Sequence, residues 1–320
     1  MIVGLIGSPL AGKSTTASYL KSHHSFEIID LNNSDHVKDL DLFDQGEQIT
    51  DEAAAMTYES LSADEMVDKL LVLFKKLMKR DWRQNWVVYP IPCTEKMKAA
   101  AKTAFIVFYR IEAALDVRIA RAADRGINLQ EFIKLTGQHE KKMLEDNRLT
   151  ITRTFVNNFE TTEEFYEKSL AKFNFSDSQI LRPSWDKYFM QLAYLVSTRT
   201  NCMKRPVGCV LVKNNRLVAS GYNGTPFGME NCNKGGCARC NTMTDGELDT
   251  CFCIHAEENA VIEGGRDLID GGTAYLNAYP CLMDAKKLVQ AGIIRIVFDR
   301  DIVMPGTEDF FSKLDHVSVE

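Results

Sequence analysis

A histidine and a glutamate two residues apart, in His255-Ala256-Glu257, stand where a helix is expected to begin. Past a short strand pattern comes Tyr279-Pro280-Cys281-Leu282-Met283-Asp284. These side chains offer an imidazole nitrogen, a thiolate and a carboxylate, all of them zinc donors. A catalytic zinc keeps three protein ligands and leaves a fourth position open for water, whose pKa it lowers enough to supply hydroxide near neutral pH. Cys281 and Asp284 are three apart on one helix, so both project from one face. Pro280 suits a helix start, where its missing N–H costs nothing. The positive end of that helix favours a thiolate at Cys281. His255 and Glu257 do not share a face in mid-helix. The pair works when His255 precedes the first full turn and Glu257 turns in beside the water as a proton carrier. The plain alternative is a surface helix that opens on an incidental His-x-Glu. The downstream Pro-Cys, with a strand between, argues against it.

Together the two stretches resemble the His-x-Glu…Pro-Cys-x-x-Cys signature of zinc deaminases acting on nucleobases. In that chemistry hydroxide attacks C4 of cytosine. The glutamate, here Glu257, passes the proton to N3 and on to the departing amine. Asp284 stands where the signature has its second cysteine. Two readings stay open: a His255–Cys281–Asp284 zinc site, or an Asp284 turned to solvent or paired with Lys286 or Lys287.

Of nine cysteines, one lies in the first half and eight lie from Cys202 to Cys281. In a chain without a leader pattern, that clustering reads as metal binding rather than disulfides. The expectation is one closed, four-ligand structural zinc on Cys202, Cys232, Cys237 and Cys251, with Cys240 and Cys253 in reserve. It would pin the long loop against the catalytic helix. Scattered buried thiols are the alternative.

At the other end of the chain, an apolar strand from Met1 runs into Gly7-Ser8-Pro9-Leu10-Ala11-Gly12-Lys13-Ser14, a full phosphate-binding loop pattern. Helical spacing follows. In such a loop, backbone N–H groups from Gly7 to Gly12 cradle phosphates, Lys13 reaches the outer ones and Ser14 holds Mg2+. Strands are expected at Phe26–Asp30, Trp86–Tyr89 and Phe105–Tyr109, alternating with helices, which gives an α/β layer with a parallel sheet. The region resembles nucleoside monophosphate kinases and dephospho-coenzyme A kinase. Asn32 holds the place of an acid often found there, and no Asp closes the third strand. Arg118, Arg121 and Arg125 resemble the phosphate-gripping arginines of those kinases, or form a solvated helix face. The half is read as a P-loop, kinase-like domain that binds a nucleotide without phosphorylating anything.

The length allows two domains, and the net charge of −6 comes without a long basic run. Small-molecule substrates are favoured over nucleic acid, no apolar run spans a membrane, and the cytoplasm is the expected compartment, with the nucleus second. The expected domains are 1–150 (P-loop), 151–181 (helical linker) and 182–320, with the junction near Asp177–Leu181. In the last, Pro183 and Ser184 start a helix whose stripe is Trp185, Phe189, Leu192 and Val196. A hairpin turns at Lys213–Arg216. The helix 255–264, the strand 273–277, the helix 281–291 and the strand 293–298 complete an α/β/α sandwich.

Residues 182 to about 300 resemble deoxycytidylate deaminases, particularly the fungal form. The resemblance rests on Arg182-Pro183-Ser184-Trp185-Asp186, Asn201-Cys202-Met203-Lys204-Arg205, Gly221-Tyr222-Asn223-Gly224, His255–Ala260 and Leu288–Ile293. It implies hydrolysis of dCMP to dUMP and ammonia, zinc on His255 and Cys281, and Glu257 as proton shuttle. It further implies feedback by dCTP and dTTP, nucleotide or effector handling at Gly221–Gly224, and a homo-oligomer such as a hexamer. Two alternatives compete. One is a catalytically degenerate relative that binds nucleotides as a regulatory subunit, fed by Asp284. The other is a nucleotide kinase carried by residues 1–150. An editing deaminase fits the acidic balance poorly.

Overall fold

Ile2–Ile6 (β1) is buried along its whole length and lies at the centre of a five-stranded parallel sheet. Strands buried on both faces read as unbroken apolar runs, as β1 does. Beside it run β2 (Phe26–Asp30), β3 (Asn85–Tyr89), β4 (Ile106–Glu112) and β5 (Arg153–Val156), in the order β2-β3-β1-β4-β5. Val3 sits level with Val87 on one side and Val107 on the other. In the computed structural model, the described residues are 1–33, 63–91, 97, 105–145, 151–242, 251–299 and 306–320. Among them, no helix is long and apolar enough to cross a membrane.

Each face of this sheet carries its own core. Helix α2 (Ala63–Arg80) lays Val67, Leu70, Phe74 and Leu77 on one face. Helices α1 (Lys13–His24) and α5 (Thr162–Lys168) cover the other with Ala17, Leu20 and Phe165. Helix α3 (Leu115–Asp124) packs Val117 against that second core, and α4 (Leu129–Glu145) packs on α3. The expected linker at 151–181 is corrected here. Arg153–Val156 is a sheet strand, and Phe165, Leu170 and Phe175 are fully buried in the core under α1 and α5. The unit therefore runs Met1–Arg182. As an edge strand, β5 buries Phe155 alone of its four residues, so its sequence lacks an apolar run.

The second unit, Pro183–Glu320, has the sheet order β10-β9-β8-β6-β7. Its strands are β6 (Gly208–Lys213), β7 (Arg216–Tyr222), β8 (Thr273–Leu276), β9 (Arg295–Phe298) and β10 (Ser318–Val319). The β6–β7 hairpin closes through Asn214 and Asn215, both at positive φ, the geometry that asparagine tolerates in tight hairpins. Helix α6 (Trp185–Ser197) packs on one face. Helices α7 (Ala256–Gly264) and α8 (Leu282–Gln290) pack on the other. A short helix, α9 (Thr307–Phe311), adds Phe311 to that core. Ser184 caps α6 by accepting from Lys187 N at 3.2 Å. Of the expected α6 stripe, Phe189 is buried and Leu192 and Val196 pack against the same core, with Ala193 added to them. Trp185 is half exposed and stacks on Phe189. At Gly221 the approach of α7 to β7 leaves no room for a side chain, since a Cβ there would lie 2.2 Å from Ala256 O.

Candidate metal centre

Both motif helices begin where their sequences place them. His255 is the N-cap of α7 and Cys281 the N-cap of α8, each in extended backbone. Glu257 and Asp284 fall in the first turns that follow. With α7 and α8 side by side over the same core, the four side chains converge. His255 Nδ1 donates to Asp284 Oδ2 at 2.6 Å, and the Cys281 thiol donates to the same oxygen at 2.9 Å. Cys281 Sγ lies 3.9 Å from His255 Nδ1. Asp284 is 2% exposed, so its carboxylate is not turned to solvent. Lys287 pairs instead with Glu258 at 2.9 Å.

The electrostatics follow from this burial. The hydrogen bond to Asp284, then that to Cys281, pushes the His255 imidazole up to about 11. Burial, reinforced by the Asp284 charge, pushes the Glu257 carboxyl up to about 7. Cys209 lies beneath, and its thiol is pushed well up by burial and by the two acids. An imidazole, a thiol and a buried carboxylate meeting at one point form a donor set that suits zinc. Sequence reasoning missed Arg205, whose positive charge reaches Glu257. It closes the Asn201–Arg205 stretch, whose residue types alone gave it no catalytic role.

The Gly221–Gly224 segment leads from β7 toward the same helix. Tyr222 O accepts from Asn259 Nδ2 at 2.8 Å, and Gly224 pairs through its backbone with Ile254. Asn223 is an internal brace. Its Oδ1 accepts from Val207 N and Thr200 Oγ1, and its Nδ2 donates to Arg205 O. A groove of about 760 Å3 runs along β7, lined in part by Gly221, Tyr222, Gly224 and Asn259.

The cysteine expectation is corrected in its membership. Cys202, Cys232, Cys237 and Cys251 do not form one quartet. The sulphurs gather as Cys202, Cys232, Cys240 and Cys253, and as Cys237, Cys240, Cys251 and Cys253. The supposed reserves, Cys240 and Cys253, lie in both groups. The short helix Ala238–Asn241 turns Cys240 inward, and Cys253 is buried within reach of both groups.

In the first unit, strand, glycine loop and helix follow in order, with Gly7 and Gly12 at positive φ. Lys13 Nζ donates to Gly7 O and Ser8 O at 2.8 and 2.9 Å, and burial lowers this amine to about 8. Ser14 is exposed at the start of α1. The α3 arginines differ among themselves, and Arg125 is exposed. Arg118 is buried, with Nε donating to Ala113 O, and Arg121 grips the loop backbone at Leu10 O. Asn157, which no motif flagged, donates to Ala11 O at 3.0 Å.

Comparison with known proteins gives a consistent result. Residues 183–300 match the cytidine and deoxycytidylate deaminase zinc-binding region. The deoxycytidylate deaminase of Schizosaccharomyces pombe is 34% identical over 307 residues, covering 92% of this chain and 89% of the relative. That of Saccharomyces cerevisiae is 34% identical over 325 aligned residues, covering 100% of this chain and 95% of the relative. Among solved structures, the dCMP deaminase from cyanophage S-TIM5 in complex with dCMP and dUMP is 30% identical. It covers 43% of this chain and 97% of that one, with a TM-score of 0.35.

Proposed function

The chain belongs to the deoxycytidylate deaminase family and is a hydrolase of that class; from that premise we propose that it converts dCMP to dUMP and ammonia at His255, Glu257, Cys281 and Asp284. The observation that carries this reading is the buried meeting of His255, Cys281 and Asp284 beside Glu257. Zinc held by the three donors supplies the Lewis acidity that makes water nucleophilic near neutral pH. Glu257 does the proton work. Its carboxylate takes a proton from the attacking water and delivers it to N3 of the cytosine ring. The water oxygen bonds to C4, Glu257 carries the resulting hydroxyl proton to the exocyclic amine, and the C4–N bond breaks to release ammonia and leave a carbonyl at C4. Cys209 and the sheet beneath keep bulk water from the carboxyl.

The thiol cluster is a second, structural zinc site that holds the loop leading to His255. The groove beside Gly221, Tyr222 and Gly224 is assigned to the effectors dCTP and dTTP, and a homo-oligomer is the working assembly. The Gly7–Ser14 loop takes the phosphates of a nucleotide, with Mg2+ at Ser14. Support for this is the left-handed backbone at Gly7 and Gly12 and the placement of Lys13. The test is ammonia and product release from dCMP, deoxycytidine and CMP by the purified, zinc-loaded protein. The expected result is turnover with dCMP preferred. Zinc-loaded protein that deaminates none of the three would refute the proposal.

A further inference from the structure

Cys202, Cys232, Cys237, Cys240, Cys251 and Cys253 pack more closely than one zinc requires. Cys232, Cys237, Cys240 and Cys253 are buried, Cys202 and Cys251 partly so, and all six are free thiols. The sulphurs of Cys202 and Cys240 lie 3.9 Å apart, those of Cys237 and Cys251 3.9 Å, and those of Cys240 and Cys251 3.6 Å. A zinc with four thiolates at about 2.3 Å has sulphur–sulphur edges of about 3.8 Å. The spacing is thus that of a tetrahedral thiolate site. A single ion would take four of the six and leave two thiols crowded against it.

The grouping resolves this. One quartet is Cys202, Cys232, Cys240 and Cys253, and the other is Cys237, Cys240, Cys251 and Cys253. Within each, all four sulphurs lie within 4.8 Å of one another. The two quartets share Cys240 and Cys253 and between them use all six residues. Two tetrahedra that share one edge have this arrangement.

We propose that the six thiols form one binuclear zinc–thiolate cluster, with Cys240 and Cys253 bridging two ions, Cys202 and Cys232 terminal on one, and Cys237 and Cys251 terminal on the other. Local backbone serves it. The Lys204 and Arg205 N–H groups point at the Cys202 sulphur, and those of Cys240 and Phe252 at the Cys237 sulphur. Such donors suit terminal thiolates, which carry the negative charge that two Zn2+ ions leave on six sulphurs. A tight turn makes the cluster possible. Gly235 adopts positive φ after the short helix Cys232–Lys234, and a side chain at Gly236 would collide with Glu230 O. That turn brings Cys237 back toward Cys232. Cys253 stands two residues before His255, so the cluster also fixes where α7 begins.

The test counts zinc by native mass spectrometry and elemental analysis on the full chain, expressed with zinc and freed of excess by gel filtration. Wild type is compared with His255→Ala, which removes the candidate catalytic ligand and leaves the thiols intact. Three ions per wild-type chain and two per His255→Ala chain are expected. Two ions in both proteins would support the cluster and contradict the catalytic centre. Two in wild type and one in the variant would overturn the cluster in favour of a single structural ion. No zinc beyond the catalytic ion, or iron with sulphide in its place, would overturn it as well. X-ray absorption on the wild-type protein needs no variant. A zinc–zinc vector at roughly 3 Å is expected from edge sharing, and its absence would overturn bridging.

Discussion

Asp284→Ala perturbs the least regular residue of the centre. Its Oδ2 lies 2.6 Å from His255 Nδ1 and 2.9 Å from Cys281 Sγ, at 2% exposure. Alanine removes the carboxylate and leaves two donors facing a small polar void. Groups that merely orient a zinc ligand are worth about 10–100-fold in metal affinity. A ligand is worth more, so the loss at this centre should exceed about 100-fold, or about 2.7 kcal/mol. The cost to the fold is smaller. The His255 side chain is 32% exposed and regains water on losing its partner, which puts that cost at about 1–2 kcal/mol. Asp284→Cys restores a thiolate. Its longer bond to zinc, about 2.3 Å against about 2.0–2.2 Å for carboxylate, offsets its shorter reach. Activity should hold or rise. The assay is zinc per chain after dialysis against graded chelator, with dCMP turnover read on the same samples. Alanine should lose one ion and its turnover, while the thiol cluster keeps its metal. If Asp284→Ala keeps both its zinc and its rate, Asp284 is no ligand. If wild type is inactive and Asp284→Cys turns over dCMP, the chain is a binding protein that has lost its catalytic metal.

Three further outcomes are expected. Glu257→Gln should cut turnover by about 10²–10⁴-fold with zinc content unchanged, and a near-normal rate would remove Glu257 from the reaction. Gly221→Ala would place a Cβ 2.2 Å from Ala256 O and 2.5 Å from Ala260 N, forcing α7 off the sheet. Thermal unfolding should report a loss of about 1–3 kcal/mol together with lower kcat, and a wild-type melting curve would contradict this packing. Lys13, lowered to about 8 by burial, is charged below that pH and neutral above it. ATP or dNTP affinity measured by calorimetry should therefore fall as the pH rises from 7 to 9. Lys13→Ala should bind weakly and without that dependence; binding that ignores both pH and the substitution would mean that the loop does not use Lys13.

The parts most legible from sequence were those set by local rules. The unbroken apolar run of β1, the Asn-Asn hairpin turn and Ser184 as helix cap each follow from a few neighbouring residues. The placement of His255 before the first turn of α7 was legible for the same reason, since a His-x-Glu pair works only from an N-cap. What depended on distant chain was less visible. Phe155 alone of β5 faces inward, so that strand has no apolar run and reads as linker. The cysteine quartet was chosen by spacing along the chain, but the turn at Gly235 and the short helix after it reorder which sulphurs meet. Asp284 left two readings because its helix position allows either. The packing of α8 against α7 buries the Asp284 carboxylate beside His255 and Cys281, which removes the solvent-facing reading. Asn223 looked like a ligand-facing loop residue, yet its amide is used to brace the 200–207 segment.

Anomalous diffraction at the zinc edge, from crystals of wild-type protein grown with dUMP, tests the central claim most directly. The account predicts a peak bonded at once to His255 Nδ1, Cys281 Sγ and an Asp284 carboxylate oxygen, with the Glu257 carboxyl beside the pyrimidine. Protein active on dCMP whose crystals show no zinc there, or a zinc that Asp284 does not touch, would contradict it.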